Sequence, residues 1–333
     1  DFLLSQLSPI DRHRYSLVSR EALAAVRSFE SRAFRVSKLL SGYFSDVRHL
    51  NRFRHLQHQH GVLISGSTAL QFFDLTTYQD SDLDLYVNVE HAKPLLLFLS
   101  EIGYVFAPRS PGQQDFQRRL SQDNLGVLRR RYEGRGIMIV FDYLKNGKKI
   151  QVIVTKQGPL DCILGFHSTC VINFISHSHA YSLFPYTTFE SRATIRLSRA
   201  LHPHDRDDDN FEAAIRKYRE RGWVDANLPS AAVYLSSRSE FYDGERSVGD
   251  AATWKIQLEP IGDDAVPFHF VTSALDPVGC NSWYQKIEGT NFVIEHDNMG
   301  VGIFHQPCTV KHLWALIPHV RSLSRDDPAN EYL

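Results

Sequence analysis

The chain has 333 residues, 43% of them hydrophobic and 23% charged, with a formal net charge of −1. That composition excludes a disordered chain, a collagen-like repeat and a disulfide-dense miniprotein, and the length is enough for a large core and more than one domain. No run approaches the roughly 20 apolar residues of a membrane span, and Asp1-Phe-Leu-Leu-Ser-Gln6 lacks the basic start and long apolar core of a signal peptide.

Residues 1–58 read as a helical segment. Leu17, Val18, Leu23, Ala24, Val26 and Phe29 recur at helical spacing, with Ser8-Pro9 and Ser19 placed to open helices. From Gly61 the pattern changes. Gly61-Val-Leu-Ile-Ser65 is a short apolar run, read as a strand, ending in Gly66-Ser67, and Thr68–Phe73 reads as a helix. Ser81-Asp-Leu-Asp-Leu-Tyr-Val87 alternates polar and apolar residues, the period-two mark of a strand. A helix over roughly 91–102 follows, then an irregular basic segment over 109–136, rich in Arg, Gln and Gly.

Two strand-like runs, 136–143 and 149–155, flank Asn146-Gly147, the strongest short hairpin signal. Residues 160–200 read as mostly helical, which would put Arg192 and Arg196 on one helical face. After a loop with His202, His204 and Asp207, helix returns over 211–221. Beyond Trp223 the chain is rich in Gly, Pro and aromatics, with strand-like runs at Phe268–Thr272 and Asn291–Glu295. The order of elements predicts an α/β (α+β) fold with a mixed sheet, divided as a helical segment 1–58, a core domain 59–225 and a small β-rich C-terminal part 226–333.

Cys162, Cys170, Cys280 and Cys308 form no CxxC pair and read as reduced core thiols of an intracellular protein, cytoplasmic or nuclear. His55, His58, His60 and the pairs His177/His179 and His202/His204 match no zinc spacing and are expected on surfaces. Charge is unevenly spread. Residues 1–60 carry ten Lys/Arg against five Asp/Glu, and residues 109–149 ten against four, so the front half is suited to an anionic partner. Arg129-Arg130-Arg131 is the point where a nucleic acid would be steered.

The chemistry concentrates at Gly66-Ser67 and, after 14 intervening residues, Asp82-Leu83-Asp84. Glycine lets backbone approach a phosphate closely, and a hydroxyl at a helix start adds to the free N–H groups there. Carboxylates at i and i+2 of one strand share a face, where they can hold Mg²⁺ or Mn²⁺ that bridges to a triphosphate.

This arrangement resembles the nucleotidyltransferase superfamily, which includes DNA polymerase beta, poly(A) polymerase and cyclic GMP-AMP synthase. The combination of Gly66-Ser-Thr-Ala-Leu-Gln-Phe-Phe73, Ser81-Asp-Leu-Asp-Leu-Tyr-Val87 and His167-Ser-Thr-Cys-Val-Ile-Asn173 is similar to a family much expanded in mushroom-forming fungi. The resemblance implies a nucleotidyltransferase-like mixed sheet, metal at Asp82 and Asp84, and an NTP substrate whose phosphates meet Gly66 and Ser67. His167 and Ser168 are further nucleotide-contact candidates. Where the superfamily carries a third carboxylate, this chain has Gln151, a poorer Mg²⁺ ligand, and Asp142 on the neighbouring strand is the substitute if it faces the same edge. The first 50 residues, with Leu7-Ser-Pro-Ile-Asp11 and Tyr15-Ser-Leu-Val-Ser-Arg20, resemble an F-box and would imply a Skp-type adaptor of a ubiquitin ligase as partner.

Two functions follow as expectations. The first is an Mg²⁺-dependent nucleotidyltransferase moving NMP from an NTP to a hydroxyl on RNA, protein or a small molecule. The second is a catalytically inactive nucleotidyltransferase-fold binding protein that serves as an F-box-like adaptor.

Overall fold

A computed structural model describes residues 2–79, 81–121, 136–156, 158–197, 208–262, 276–289 and 291–295. The chain begins with helices α1 (Phe2–Gln6), α2 (Pro9–Ser16), α3 (Arg20–Ala33), α4 (Val36–Leu40) and α5 (Val47–His60). As read from the sequence, Ser8 and Ser19 cap α2 and α3, their side chains accepting from the N–H groups of Asp11 and Ala22. Gly61, in the left-handed region at φ 61°, ends α5.

The alternation in β2 (Leu83–Asn88) sets the layers that follow. Leu83, Leu85 and Val87 join a core with Leu50 and Phe53 of α5 and Leu95, Phe98 and Leu99 of α7 (Ala92–Glu101). On the opposite face Tyr86 packs with Leu63 of β1 (Leu63–Ser65), Ile153 of β5 (Lys148–Thr155) and Leu160, Ile163 and Leu164 of α9 (Pro159–Leu164). Each such fully buried side chain contributes about 1.5–3 kcal/mol.

Among the described residues the main sheet has eight strands in the order β11-β7-β6-β1-β2-β5-β4-β3, with β3 at Val105–Ala107, β4 at Ile137–Lys145, β6 at Asn173–Ile175, β7 at His179–Ser182 and β11 at Trp254–Gln257. β2 and β5 run parallel and the other neighbours antiparallel, so the mixed α/β sheet is present. The parallel pair needs a long crossover, which α7 and α8 (Pro111–Ser121) supply on the way to β4. The β4–β5 hairpin turns through Asn146 and Gly147 at φ 50° and 73°, the doubly positive geometry that this dipeptide favours.

Several expectations are corrected. Residues 160–197, the described part of 160–200, are not mostly helical: they hold α9, the short strands β6 and β7, β8 (Ala193–Thr194) and a π-helical turn at Tyr186–Glu190. Arg192 and Arg196 therefore share no helical face. Arg192, at φ 50°, pairs with Asp74 and lies 4.2 Å over the Trp223 ring, while Arg196 bridges Glu212 and Asp225. Part of the supposedly irregular basic segment is helix α8. Cys162 and Cys170 are buried as expected, whereas Cys280 is exposed.

The helix expected over 211–221 appears as α10 (Asp208–Glu220), followed by β9 (Val224–Asp225) and α11 (Ala231–Tyr234). From the region 226–333, β10 (Gly244–Ser247), β12 (Ser282–Glu288) and β13 (Asn291–Glu295) form a separate three-stranded sheet, while β11 is the edge strand of the main one. Arg129–Arg131, His202, His204, Asp207, Phe268–Thr272 and Cys308 lie outside the described residues.

Candidate functional site

The site is one transverse row of the sheet. Ser65 of β1 pairs with Asp84 of β2, Asp84 with Gln151 of β5, and Gln151 with Asp142 of β4. Paired residues of neighbouring strands project to the same face, so Asp84, Gln151 and Asp142 stand side by side. Asp82, two residues before Asp84, and Lys149, two before Gln151, extend the cluster by one step; their side chains meet at 2.9 Å.

Helix α6 (Gly66–Asp74) starts where β1 ends. Gly66 has φ +67°, and a Cβ there would lie 2.3 Å from Asp84 Oδ2. A side chain there would have to displace that carboxylate, and together with the positive φ this explains a glycine at this position. The segment before β2 is held against α6 by a hydroxyl network. Ser67 Oγ lies 2.9 Å from Ser81 Oγ, Gln71 Nε2 donates to Ser81 Oγ at 2.6 Å, and Thr68 Oγ1 donates to the Asp82 carbonyl at 2.6 Å.

Charge and burial set the character of the row. Burial first, and the Asp82 charge second, push the Asp84 carboxyl up to about 7, against the pull of Lys217 and Lys149. Asp84 Oδ1 is sealed from solvent and has no hydrogen-bond partner. A buried carboxylate oxygen in that condition is costly unless a cation or proton meets it. Burial also pushes the Lys217 amine of α10 down, Arg221 adds to this, and Asp84 and Asp82 pull it back.

Asp142 faces the same edge, as its candidacy required, but it is already engaged. Arg109 grips it with two hydrogen bonds, Nε to Oδ2 at 2.6 Å and Nη2 to Oδ1 at 2.7 Å, and Gln151 Nε2 donates to Oδ1 at 2.8 Å. Burial raises the Asp142 pKa, yet the hydrogen bonds from Arg109 and Gln151 outweigh it and leave the carboxyl below its ordinary value.

His167 and Ser168 sit to one side, in contact with each other: His167 Nδ1 lies 2.6 Å from Ser168 Oγ, and the imidazole is 5.9 Å from the ring of Tyr218, the neighbour of Lys217 on α10. Asn173 donates from Nδ2 to the Cys170 carbonyl, and its own carbonyl accepts from Ser65 Oγ. His177 and His179, expected on the surface, are half-buried around Asp276, which accepts hydrogen bonds from Ser178 Oγ at 3.0 Å and Tyr181 OH at 3.1 Å and from Ser176 Oγ.

Arg109, Lys149 and Lys217 were not singled out from the sequence. Lys149 carries a usable signal, since it stands two residues from Gln151 on a strand. Lys217 has none, because α10 is brought to the row by tertiary packing alone.

Among the described residues no group of three or more His, Cys, Asp or Glu side chains converges as a ready-made cation cage. The residues nevertheless fit one divalent cation at Asp82 and Asp84, on two observations: the unpartnered Asp84 Oδ1 and the cradle at Gly66 that a Cβ would fill. Among the described residues no helix is long and apolar enough to cross a membrane. Comparisons of the chain with protein-family models, with curated proteins and with solved structures return no match.

Proposed function

We propose that the chain is a divalent-cation-dependent nucleotidyltransferase that transfers NMP from an NTP to a hydroxyl acceptor on RNA, protein or a small molecule, releasing pyrophosphate. The observation that carries this is the row itself: Asp84 and Asp82 on one sheet face, directly against a glycine-started helix, with Asp84 Oδ1 buried and unpartnered. Asp82 and Asp84 would hold Mg²⁺ or Mn²⁺, and Gly66 and Ser67 the triphosphate. Bound there, the cation would draw charge from the phosphate oxygens and the departing pyrophosphate.

The chain's own residues supply positioning. Gly66 keeps the helix start within reach of the carboxylate, and Lys149 and Lys217 offset the acidic charge until the cation arrives. Gln151, in the third-carboxylate position, orients Asp142 by hydrogen bonding and cannot itself take up a proton. His167, beside Tyr218, would line the nucleotide's outer edge, with the buried Ser168 holding its imidazole. A nucleic-acid acceptor would be steered by Arg129–Arg131. Use of NTP and reduced thiols suits a cytoplasmic or nuclear location.

A second reading, a catalytically inactive binding protein with an F-box-like N-terminus that docks a Skp-type adaptor, is favoured by the apolar surface of the first helices. Phe2, Leu3, Leu17 and Val18 are 82%, 67%, 71% and 75% exposed.

One experiment separates the two. The purified chain is incubated with each of the four NTPs and Mg²⁺ or Mn²⁺, beside the Asp82→Asn/Asp84→Asn double variant. Pyrophosphate release by the wild type, at least 100-fold reduced in the variant, is expected. Equal or absent release in both would sink the enzyme reading. Capture of a recombinant Skp-type adaptor, lost on Leu17→Glu/Val18→Glu, would then establish the second.

A further inference from the structure

We infer that His58 and His177, with the side-chain oxygen of Gln57, form a binding site for one Zn²⁺ ion that clips helix α5 to the β6–β7 turn, away from the candidate active site.

The two histidines come from distant parts of the chain. His58 stands in the last turn of α5, and His177 lies between β6 and β7. Their rings nevertheless lie 4.5 Å apart, centre to centre. Two imidazoles at that separation can meet one ion at the zinc–nitrogen distance of about 2.0–2.1 Å by rotation about their side-chain bonds alone. Arg54, one turn back on α5, holds the turn in place for this. Its Nη2 donates to the His177 carbonyl at 2.6 Å and its Nη1 to the Glu259 carbonyl at 2.8 Å.

The pair lines a small cavity. It measures about 20 Å³, and Gln57, Ser176 and Asp276 line it with the two histidines. Roughly 10–15 Å³ suffices for one water-sized occupant. Gln57 is 1% exposed, and its Nε2 donates to the carbonyls of Val62 and Ile175, both at 3.3 Å. Those two acceptors fix which way the amide points and leave Oε1 sealed from solvent with no hydrogen-bond partner. A buried carbonyl oxygen in that condition is costly unless something meets it.

The chemistry of the lining selects the occupant. Gln57 Oε1, the bare nitrogen of a neutral imidazole and the Asp276 carboxylate are all acceptors, and the Ser176 hydroxyl is spent on Asp276. A one-atom space walled by acceptors suits a cation. Two imidazoles favour Zn²⁺ over Mg²⁺ or Ca²⁺, which take oxygen ligands. Asp276 contributes charge rather than a bond, since Oδ1 accepts from the Val278 N–H and Oδ2 from Ser176, Ser178 and Tyr181. Solvent, which reaches the exposed His58, supplies the fourth position of a tetrahedral ion. Two imidazoles and an amide are not a cluster of three His, Cys, Asp or Glu side chains, of which the described residues hold none.

The test is a zinc titration of the chelator-stripped chain in competition with a chromophoric chelator, with circular dichroism confirming the fold of each variant. One Zn²⁺ per chain is expected, with a dissociation constant in the micromolar range or below and a rise in Tm on binding. The Asp82→Asn/Asp84→Asn variant should retain both. His58→Ala, at an exposed position where truncation leaves the fold intact, should weaken binding roughly tenfold or more and remove the rise in Tm. His177→Ala should do the same, and X-ray absorption at the zinc edge should show imidazole neighbours and no sulfur. Binding that is lost in Asp82→Asn/Asp84→Asn but untouched by His58→Ala puts the ion at the candidate active site and overturns the inference. Sulfur ligation, no binding, or binding that neither histidine variant weakens overturns it as well.

Discussion

Gly66 and Asp84 form the tightest constraint at the site. Any side chain at position 66 must share space with Asp84 Oδ2, and the φ of +67° is one that L-residues adopt only at a cost of about 1–2 kcal/mol. Gly66→Ala is therefore expected to lower unfolding free energy by about 2 kcal/mol in urea titration and to abolish Mn²⁺ binding, because the carboxylate must swing away to admit the methyl group. Unchanged Mn²⁺ affinity in a folded Gly66→Ala protein would show that the close approach has no part in holding a cation. The pairing of Gly66-Ser67 with Asp82 and Asp84 was legible in the sequence because each half lies within one short local pattern. The capture of Asp142 was not, since Arg109 and Asp142 are 33 residues apart and meet only through strand register.

Among the elements, the β6–β7 turn is held by a buried acid from a distant part of the chain. Burial raises the Asp276 pKa, but hydrogen bonds from His179 and Ser176, the charge of His177 and the hydrogen bond from Ser178 outweigh it and hold the carboxyl down at about 2. A carboxyl lowered in the folded state stabilises above its unfolded value near 4, and that contribution is lost as pH falls towards 2. Asp276→Asn should cost about 2 kcal/mol at pH 7, and the gap to wild type should narrow at pH 3. Urea titrations at the two pH values decide it: an equal gap at both means the carboxylate charge contributes nothing.

The same region shows why sequence reading failed over 160–200. β6 is buried along its whole length, β7 nearly so, and both are short, so neither shows the alternation that marks a half-buried strand. The β4–β5 hairpin and β2 were legible because turn chemistry or alternation was present. Helix α8 was missed because its Gln- and Arg-rich sequence offers little apolar periodicity.

At the level of the whole molecule, an aromatic cluster joins parts of the chain that are far apart in sequence. Trp254 of β11 lies 5.6 Å from Phe34, which follows α3, 5.0 Å from Phe73 of α6 and 5.4 Å from Phe189 of the π-helical turn. The N-terminal helices, the helix of the candidate site and the sheet edge therefore share one packing centre. Trp254→Ala should lower stability by about 2–3 kcal/mol while the chain still unfolds in a single transition, since these parts have no independent core at that point. Two separate transitions in calorimetry, only one of them shifted, would show that the N-terminal helices and the sheet edge unfold independently.

The sheet order also has a consequence for biosynthesis. The row bearing Asp84, Gln151 and Asp142 is complete once Thr155 has left the ribosome, but among the described residues the outer edge of β7 is covered by β11, whose first residue is Trp254. Translation at roughly 5–20 residues per second leaves that edge bare for on the order of ten seconds in every nascent chain. The unpaired N–H and C=O groups of His179–Ser182 then form a template for strands of neighbouring chains on a polysome. Recombinant yield should accordingly depend on how quickly the stretch from Leu183 to Gln257 is translated, and slow codons there would favour aggregation over accumulation of the folded protein.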